Sequence, residues 1–263
     1  MSDTMTRTQT HGKFVWYELM TPDGKGAAKF YGGILPWTVK ETPMPGMNYT
    51  LFSTAGADVA GMMPMTADAV ARKIPPNWTG YVAVDDVDAV AKQYKKEGGS
   101  IIREPGDIPS VGRFAVVADP QGAVLAIFKP SRTDAPAMPA PNTPGLVGWR
   151  ELHSTDYKAA LGFYSRVFGW GKGDAMDMGP MGTYQILKRD SDMFGGMFDS
   201  PAAKDHPFWL YYFNIKGIDA AKAKVEQTGG KITNGPMEVP GGAWVINCMD
   251  PQGAHFSLVG SKD

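Results

Sequence analysis

Trp149-Arg150-Glu151-Leu152-His153-Ser154-Thr155-Asp156, followed by Phe163-Tyr164 and Trp170, is the second copy of a pattern that first occurs as Trp16-Tyr17-Glu18-Leu19-Met20-Thr21-Pro22-Asp23, then Phe30-Tyr31 and Trp37. The offset is 133 at both ends, and nine of the 22 paired positions are identical. Each copy opens with a β-rich run whose alternate residues share a face: Trp16, Glu18 and Met20 on one side, Tyr17 and Leu19 on the other. Asp23 then suits a helix N-cap, and Ala27, Phe30, Tyr31 and Ile34 at i, i+3, i+4 and i+7 form the stripe of a helix lying on a sheet. Gly32-Gly33 and Pro36 mark its end.

Three strand-like runs follow near 37–42, 48–54 and 58–63, separated by Pro/Gly turns, so the first unit reads βαβββ. A connector from Pro64 to Asn77 leads to a second unit of the same shape. Tyr81–Val84 is its strand, Asp85 or Asp86 caps its helix, and Val87, Val90, Ala91 and Tyr94 form the apolar stripe. Strands follow near 100–104, 113–118 and 123–128, the last two joined by Asp119-Pro120-Gln121-Gly122, type I turn chemistry. Five prolines between 130 and 144 read as a semi-rigid linker.

The second half repeats the first. Trp209 matches Trp78, Tyr212 matches Tyr81 and Asp250-Pro251-Gln252-Gly253 matches Asp119 to Gly122, all at an offset of 131. Tyr49/Tyr184 and Gly61/Gly196 stand at 135, so length changes fall in loops. The expected organisation is a polar arm (1–13), a first domain (14–128), a linker (129–146) and a second domain (147–260), each domain built from two units.

With 263 residues, 43% hydrophobic and 11% aromatic, the chain supports two real cores. A net charge of −1 without a basic block argues against nucleic acid. No apolar run suits a signal peptide or a membrane span, so a cytoplasmic protein without membrane contact is expected. The single cysteine, Cys248, excludes an intrachain disulfide and a cysteine metal cluster.

Four βαβββ units in a chain of this size, with Phe-Tyr in the first helix of each half, tryptophan after it and Asp-Pro-x-Gly before each last strand, resemble the vicinal oxygen chelate superfamily. That superfamily holds glyoxalase I, the bleomycin- and fosfomycin-resistance proteins and the extradiol dioxygenases. Within it the chain is similar to a two-domain branch of mycobacterial antigens labelled glyoxylases, whose first strands carry a similar Trp-Tyr-Glu-Leu. The resemblance implies an α+β fold of two tandem glyoxalase-like domains whose mixed sheets curve into cups. One fold hosts many functions, so activity has to be argued from the site.

In metal-dependent members one ligand stands in the first strand, 14 residues before the Phe of Phe-Tyr; the resemblance carries that position onto Trp16 and Trp149. The ligand of the other unit's first strand falls on Tyr81 and Tyr212. The glutamate seven residues after the Asp of Asp-Pro-x-Gly falls on Ala126 and Ser257. Indole and methyl groups cannot ligate, and neutral phenols and hydroxyls are poor ligands for a divalent ion. The usual metal site is therefore not expected, nor any cofactor. A divalent ion would need a displaced two-His-one-carboxylate set of Glu151, His153 and His255, which a pairing of the first unit with the fourth would split.

With Trp149 facing inward, as the resemblance implies, strand periodicity places Glu18, Glu151 and His153 inside the cups, and His255 beside Ser257 in the last strand. A carboxylate among tryptophan and tyrosine should titrate high, as a general base or a clamp for a cationic ligand does. It would equally serve as an architectural acid satisfied by a tyrosine hydroxyl. His11 and His206 are assigned no role. The leading expectation is a small-molecule binder of the bleomycin-resistance type. Aromatic, metal-free cups lined by Trp16, Trp149, Tyr81, Tyr212, His255 and Ser257 would hold an aromatic or apolar ligand, with Glu18 and Glu151 as polar anchors. The alternative is a glyoxalase-like lyase or isomerase, or an oxygenase, with Glu18, Glu151 and His153 as catalytic groups. Either form would be a two-domain monomer or a homodimer.

Overall fold

The computed structural model describes residues 8–44, 47–132 and 138–263. The expected arm is thus described from Thr8 onward, and the linker proline Pro136 lies outside the described residues. Four βαβββ modules follow one another. The first comprises β1 (Phe14–Thr21), α1 (Gly24–Ile34), β2 (Thr38–Met44), β3 (Met47–Thr54) and β4 (Ala57–Pro64). A short helix absent from the sequence reading, α2 (Ala67–Ala71), interrupts the connector, with Thr66 capping it. The second module is β5 (Asn77–Ala83), α3 (Val87–Lys96), β6 (Ser100–Ile108), β7 (Gly112–Ala118) and β8 (Val124–Pro130). The third is β9 (Val147–Ser154), α4 (Tyr157–Phe168), β10 (Gly171–Asp177), β11 (Thr183–Arg189) and β12 (Asp192–Asp199). The fourth is β13 (Phe208–Gly217), α5 (Ile218–Gln227), β14 (Lys231–Glu238), β15 (Trp244–Met249) and β16 (His255–Ser261).

The strand orders are β2-β3-β4-β1-β5-β8-β7-β6 and β10-β11-β12-β9-β13-β16-β15-β14. Within modules the first and last strands run parallel, as in β1–β4 and β13–β16, and the hairpins are antiparallel. Among the described residues no helix is long and apolar enough to cross a membrane.

The compact units do not follow the two sequence halves. One takes residues 16–79, 136–150 and 210–263, essentially the first and fourth modules; the other takes 1–15, 80–135 and 151–209, the second and third.

In the first of these units Asp23 caps α1, accepting from Gly26 N–H at 2.9 Å, and Ala27, Phe30 and Tyr31 are buried. The two glycines expected to stop this helix lie inside its last turn, and it ends at Ile34, before Pro36. Phe30 and Tyr31 meet Phe256 edge to face. The Tyr31 hydroxyl donates to Asp250 Oδ2 (3.0 Å) and accepts from Trp78 Nε1 (2.9 Å). Asp250 Oδ1 takes the amides of Gln252 and Ala254, closing the Asp-Pro-x-Gly turn. Two motifs 219 residues apart are thus halves of one buried contact. Trp37 donates to Gly145 O at 2.9 Å, and Gly145 and Leu146 pair with Asn214. The end of the expected linker is therefore anchored, not a free spacer.

The second unit repeats these contacts. Tyr164 donates to Asp119 Oδ2 (3.0 Å) and accepts from Trp209 Nε1 (3.1 Å), while Asp119 Oδ1 takes the amides of Gln121, Gly122 and Ala123. Trp170 donates to Gly12 O at 2.7 Å, and Gly12 and Lys13 pair with Ala83. Gly12 and Gly145 both sit at positive φ, and a Cβ would stand 2.8 Å from Phe168 O or from Trp37 Nε1. The tryptophan after α1 is thus a clasp on the chain that enters β9, and the one after α4 a clasp on the chain that enters β1. Asp86, not Asp85, caps α3. Asp85 instead receives Thr8 and lies 3.1 Å from His11 Nδ1, while Arg189 donates to His11 O and Gln9 O. His11, expected in a polar arm, is only 6% exposed.

Candidate functional site

On β1, Tyr17, Leu19 and Thr21 are buried while Trp16, Glu18 and Met20 are half-buried, the alternation that the sequence predicts. Glu18 pairs in register with Gly61 of β4. The Tyr49 hydroxyl donates to Glu18 Oε2 at 2.8 Å and accepts from Trp16 Nε1 at 3.1 Å. Gly61 is required because a Cβ there would collide with the Tyr49 ring. Burial first, and then the charge of Glu18, hold the Tyr49 hydroxyl well above the usual tyrosine range, so it stays protonated and donates.

The third module rebuilds this pair and extends it. The Tyr184 hydroxyl donates to Glu151 Oε2 at 2.9 Å, over Gly196, where a Cβ would meet the Tyr184 ring. His153, the counterpart of Met20, places Nε2 3.0 Å from Glu151 Oε1 and Nδ1 2.8 Å from Ser200 Oγ. Ser200 Oγ already accepts the Ala202 amide. Its hydroxyl hydrogen thus suits Nδ1, which leaves an Nε2–H to donate to the carboxylate. The imidazole stacks on Phe208 (4.4 Å, 12°) and meets Phe198 edge-on. Ser200, His153, Glu151 and Tyr184 form one connected polar chain in an aromatic setting. In it Glu151 receives two donors.

The other expected residues are placed as follows. Trp16 and Trp149 are half-buried. Tyr81 and Tyr212 are each 6% exposed and lie in register with Ala126 and Ser257. Tyr81 packs with Phe114 and Phe128. Ser257 is fully buried and donates to Asn247 Oδ1 at 3.1 Å. His255 departs from expectation: as the first residue of β16 it is exposed, because the strand's buried run begins only at Phe256. It also belongs to a different compact unit from Glu151 and His153. Among the described residues no group of three or more His, Cys, Asp or Glu side chains could hold a metal ion. The displaced trio is therefore not assembled. The positions carried over from the metal-dependent members hold indole, phenol, methyl and a hydroxyl committed to Asn247, and this donor set does not suit a divalent ion.

Tyr49, Tyr184 and Ser200 are not among the residues expected at the site. A signal for the two tyrosines existed: Tyr49/Tyr184 and Gly61/Gly196 recur at one common offset because each glycine makes room for its tyrosine. Ser200 has no such signal, since repeat spacing does not predict which side chain will meet an imidazole 47 residues away.

Comparison with known proteins agrees with this fold. The family described as Glyoxalase/Bleomycin resistance protein/Dioxygenase superfamily matches residues 13–127 and 147–258. The chain is 32% identical over 246 residues to "Putative glyoxylase CFP32" of Mycobacterium tuberculosis, covering 93% of each chain. It is 31% identical over 259 residues to the anthracycline biosynthesis protein DauV of Streptomyces sp. (strain C5), covering 94% of this chain and 93% of that one. A Mn(II)-bound glyoxalase from Novosphingobium aromaticivorans shares the fold at a TM-score of 0.66 and 16% identity, over 98% of this chain and 84% of that one. The chain belongs to the glyoxalase/bleomycin resistance protein/dioxygenase superfamily.

Proposed function

We propose that this protein binds a small aromatic or apolar molecule in metal-free cups, with Glu18 and Glu151 as polar anchors. The observation that carries the reading is the repeated pair: a carboxylate on the half-buried face of the first strand, gripped by a tyrosine hydroxyl that a glycine accommodates. A carboxylate held this way presents a fixed acceptor beside tryptophan, which suits a flat ligand bearing one donor. Two relatives are named for anthracycline biosynthesis, which is in keeping with a small-molecule ligand. The setting proposed is the cytoplasm.

One observation favours a second reading, a lyase or isomerase: His153 couples Glu151 to Ser200, giving that carboxylate a partner able to exchange protons. A thermal-shift screen of small aromatic and apolar compounds, followed by titration of each hit into Trp149→Ala, tests the binder. Binding should weaken while the fold is kept; unchanged binding for every hit removes Trp149 from the site. Elemental analysis of untagged protein tests the metal-free part, and a stoichiometric metal lost in His153→Ala would overturn it. Conversion of a bound hit that disappears in Glu151→Gln, with binding retained, would establish the enzyme instead.

A further inference from the structure

A groove of about 640 Å³ in the compact unit of the first and fourth modules shares no lining residue with the proposed cups. Its walls are the last residues of α1 and the two after it (Gly33 to Pro36), Thr54, Pro144 and the start of α5 with Ala221, and they are mainly apolar. Lys216 and Lys224 stand on its rim. Among the described residues neither makes an ion pair; the lining itself holds no carboxylate, and that of Asp263 accepts the N–H of the lining residue Ala220 at 2.9 Å.

The chain contains its own control. The repeat offsets of 133, 135 and 131 map these positions onto the other unit residue by residue. Gly33 corresponds to Arg166, Leu35 to Phe168, Thr54 to Arg189, Pro144 to His11 and Ala221 to Val90. Each of these five is larger in the other unit, whereas Ile34, Pro36 and Ile215 correspond to the smaller Val167, Gly169 and Val84; the guanidiniums of Arg166 and Arg189 are committed there. Arg166 pairs with Glu97 at 2.6 Å and its carbonyl accepts from Gln93, while Arg189 and Asp85 hold the Gln9–His11 segment. The charges change as well: Asp85 becomes Lys216 and Gln93 becomes Lys224. At the same place in the fold, one unit carries these larger side chains, two of them arginines committed to partners, and the other presents an apolar groove with two lysines on its lining.

We infer that this groove is a second ligand site, distinct from the cups, for a small amphiphilic anion: an apolar body carrying one carboxylate. The apolar walls take the body, and the two lysines meet the charged end. The volume is within the range of small-molecule pockets, about 300–1,000 Å³.

Dodecanoate, titrated into the full chain below its micelle-forming concentration, is the probe, with dodecyltrimethylammonium as its cationic match. The expected result is one saturable dodecanoate site per chain and none for the cation. Restoring the other unit's residues in Lys216→Asp/Lys224→Gln should weaken dodecanoate at least tenfold. Filling the groove in Gly33→Arg/Ala221→Val should abolish binding, with circular dichroism confirming the fold. Both lysines are exposed, so the first pair tests the charge even where the second perturbs packing. Trp149→Ala should leave dodecanoate binding unchanged, which separates this site from the proposed cups. No saturable binding to the unmodified chain, equal binding of the cation, or undiminished binding in the lysine variant would each overturn the inference.

Discussion

Removing one oxygen atom tests the contact on which the repeated motif depends. In Tyr164→Phe the ring keeps its place against Phe163, Trp170 and Trp209, but two buried groups lose a partner. Asp119 Oδ2 loses its donor and Trp209 Nε1–H its acceptor. A hydrogen bond to a charged group contributes about 1.5–3 kcal/mol, and an orphaned neutral donor costs about 1–3 kcal/mol. A total of about 3–4 kcal/mol follows, allowing for partial relaxation. That is a large share of the roughly 5–15 kcal/mol typical of a folded domain. Urea unfolding should show it as a lower midpoint with unchanged slope. The loss should also depend on pH. Burial raises the Asp119 pKa above its ordinary value of 3.8, against the amide and Tyr164 donors that lower it. A raised folded-state pKa contributes stability that is complete below the unfolded value and is lost as pH rises through the folded one. Without the Tyr164 donor that pKa rises further, so the penalty is greatest at neutral pH and shrinks as acid protonates Asp119. A loss under about 0.5 kcal/mol at pH 7, or one of equal size at about pH 7 and about pH 4.5, would refute the reasoning.

The two glutamines of the Asp-Pro-Gln-Gly turns should behave differently. Gln121 Oε1 accepts Thr155 N–H, Thr155 Oγ1–H and Asp156 N–H, and its Nε2 donates to Asp156 O, so Gln121→Ala should cost about 1–2 kcal/mol. Among the described residues Gln252 Oε1 is buried without a partner: Pro22, in the place of Thr155, has neither N–H nor hydroxyl, and Asp23 N–H donates to Thr21 Oγ1 instead; Gln252→Ala should stay within about 0.5 kcal/mol. Denaturation curves that rank the two variants equally would count against this account. Gly196→Ala should cost about 1–3 kcal/mol by driving a methyl into the Tyr184 ring, and should alter the tyrosine near-ultraviolet dichroism. An unchanged midpoint and spectrum would show that the glycine does not set that ring. In His153→Met, the residue of the first copy, the Ser200 and Glu151 bonds are lost and a buried hydroxyl is left with one partner fewer. A loss of about 1–2 kcal/mol, read by thermal unfolding, is expected, and none would mean that the polar chain is not formed.

Local signals were readable where the interaction is itself local. Asp23 and Asp156 cap helices that begin at the next residue, and each accepts from an amide three positions on. The stripe of Ala27, Phe30 and Tyr31 points to the core because helical periodicity alone orients it. The shared face of Trp16 and Glu18 follows from strand alternation in the same way. His255 shows where that reasoning stops: alternation assigns a face, but not whether the end of a strand is covered.

By itself, the sequence determined that four like modules exist and that a carboxylate recurs on one face of the first strand; it set the first strand of the second module four residues late, at Tyr81 where β5 begins at Asn77. Repeat spacing and periodicity carry that information along the chain. Only the tertiary structure decided what the repeated residues touch. Tyr31 is matched with Asp250 and Tyr164 with Asp119, so the first and fourth modules share one compact unit and the second and third the other. It also showed that Glu151 has gained a histidine partner where Glu18 has a methionine neighbour, and that an apolar groove lies beside the end of α1 and the start of α5. These contacts join residues far apart in sequence, and no local propensity encodes which distant side chain fills a given space.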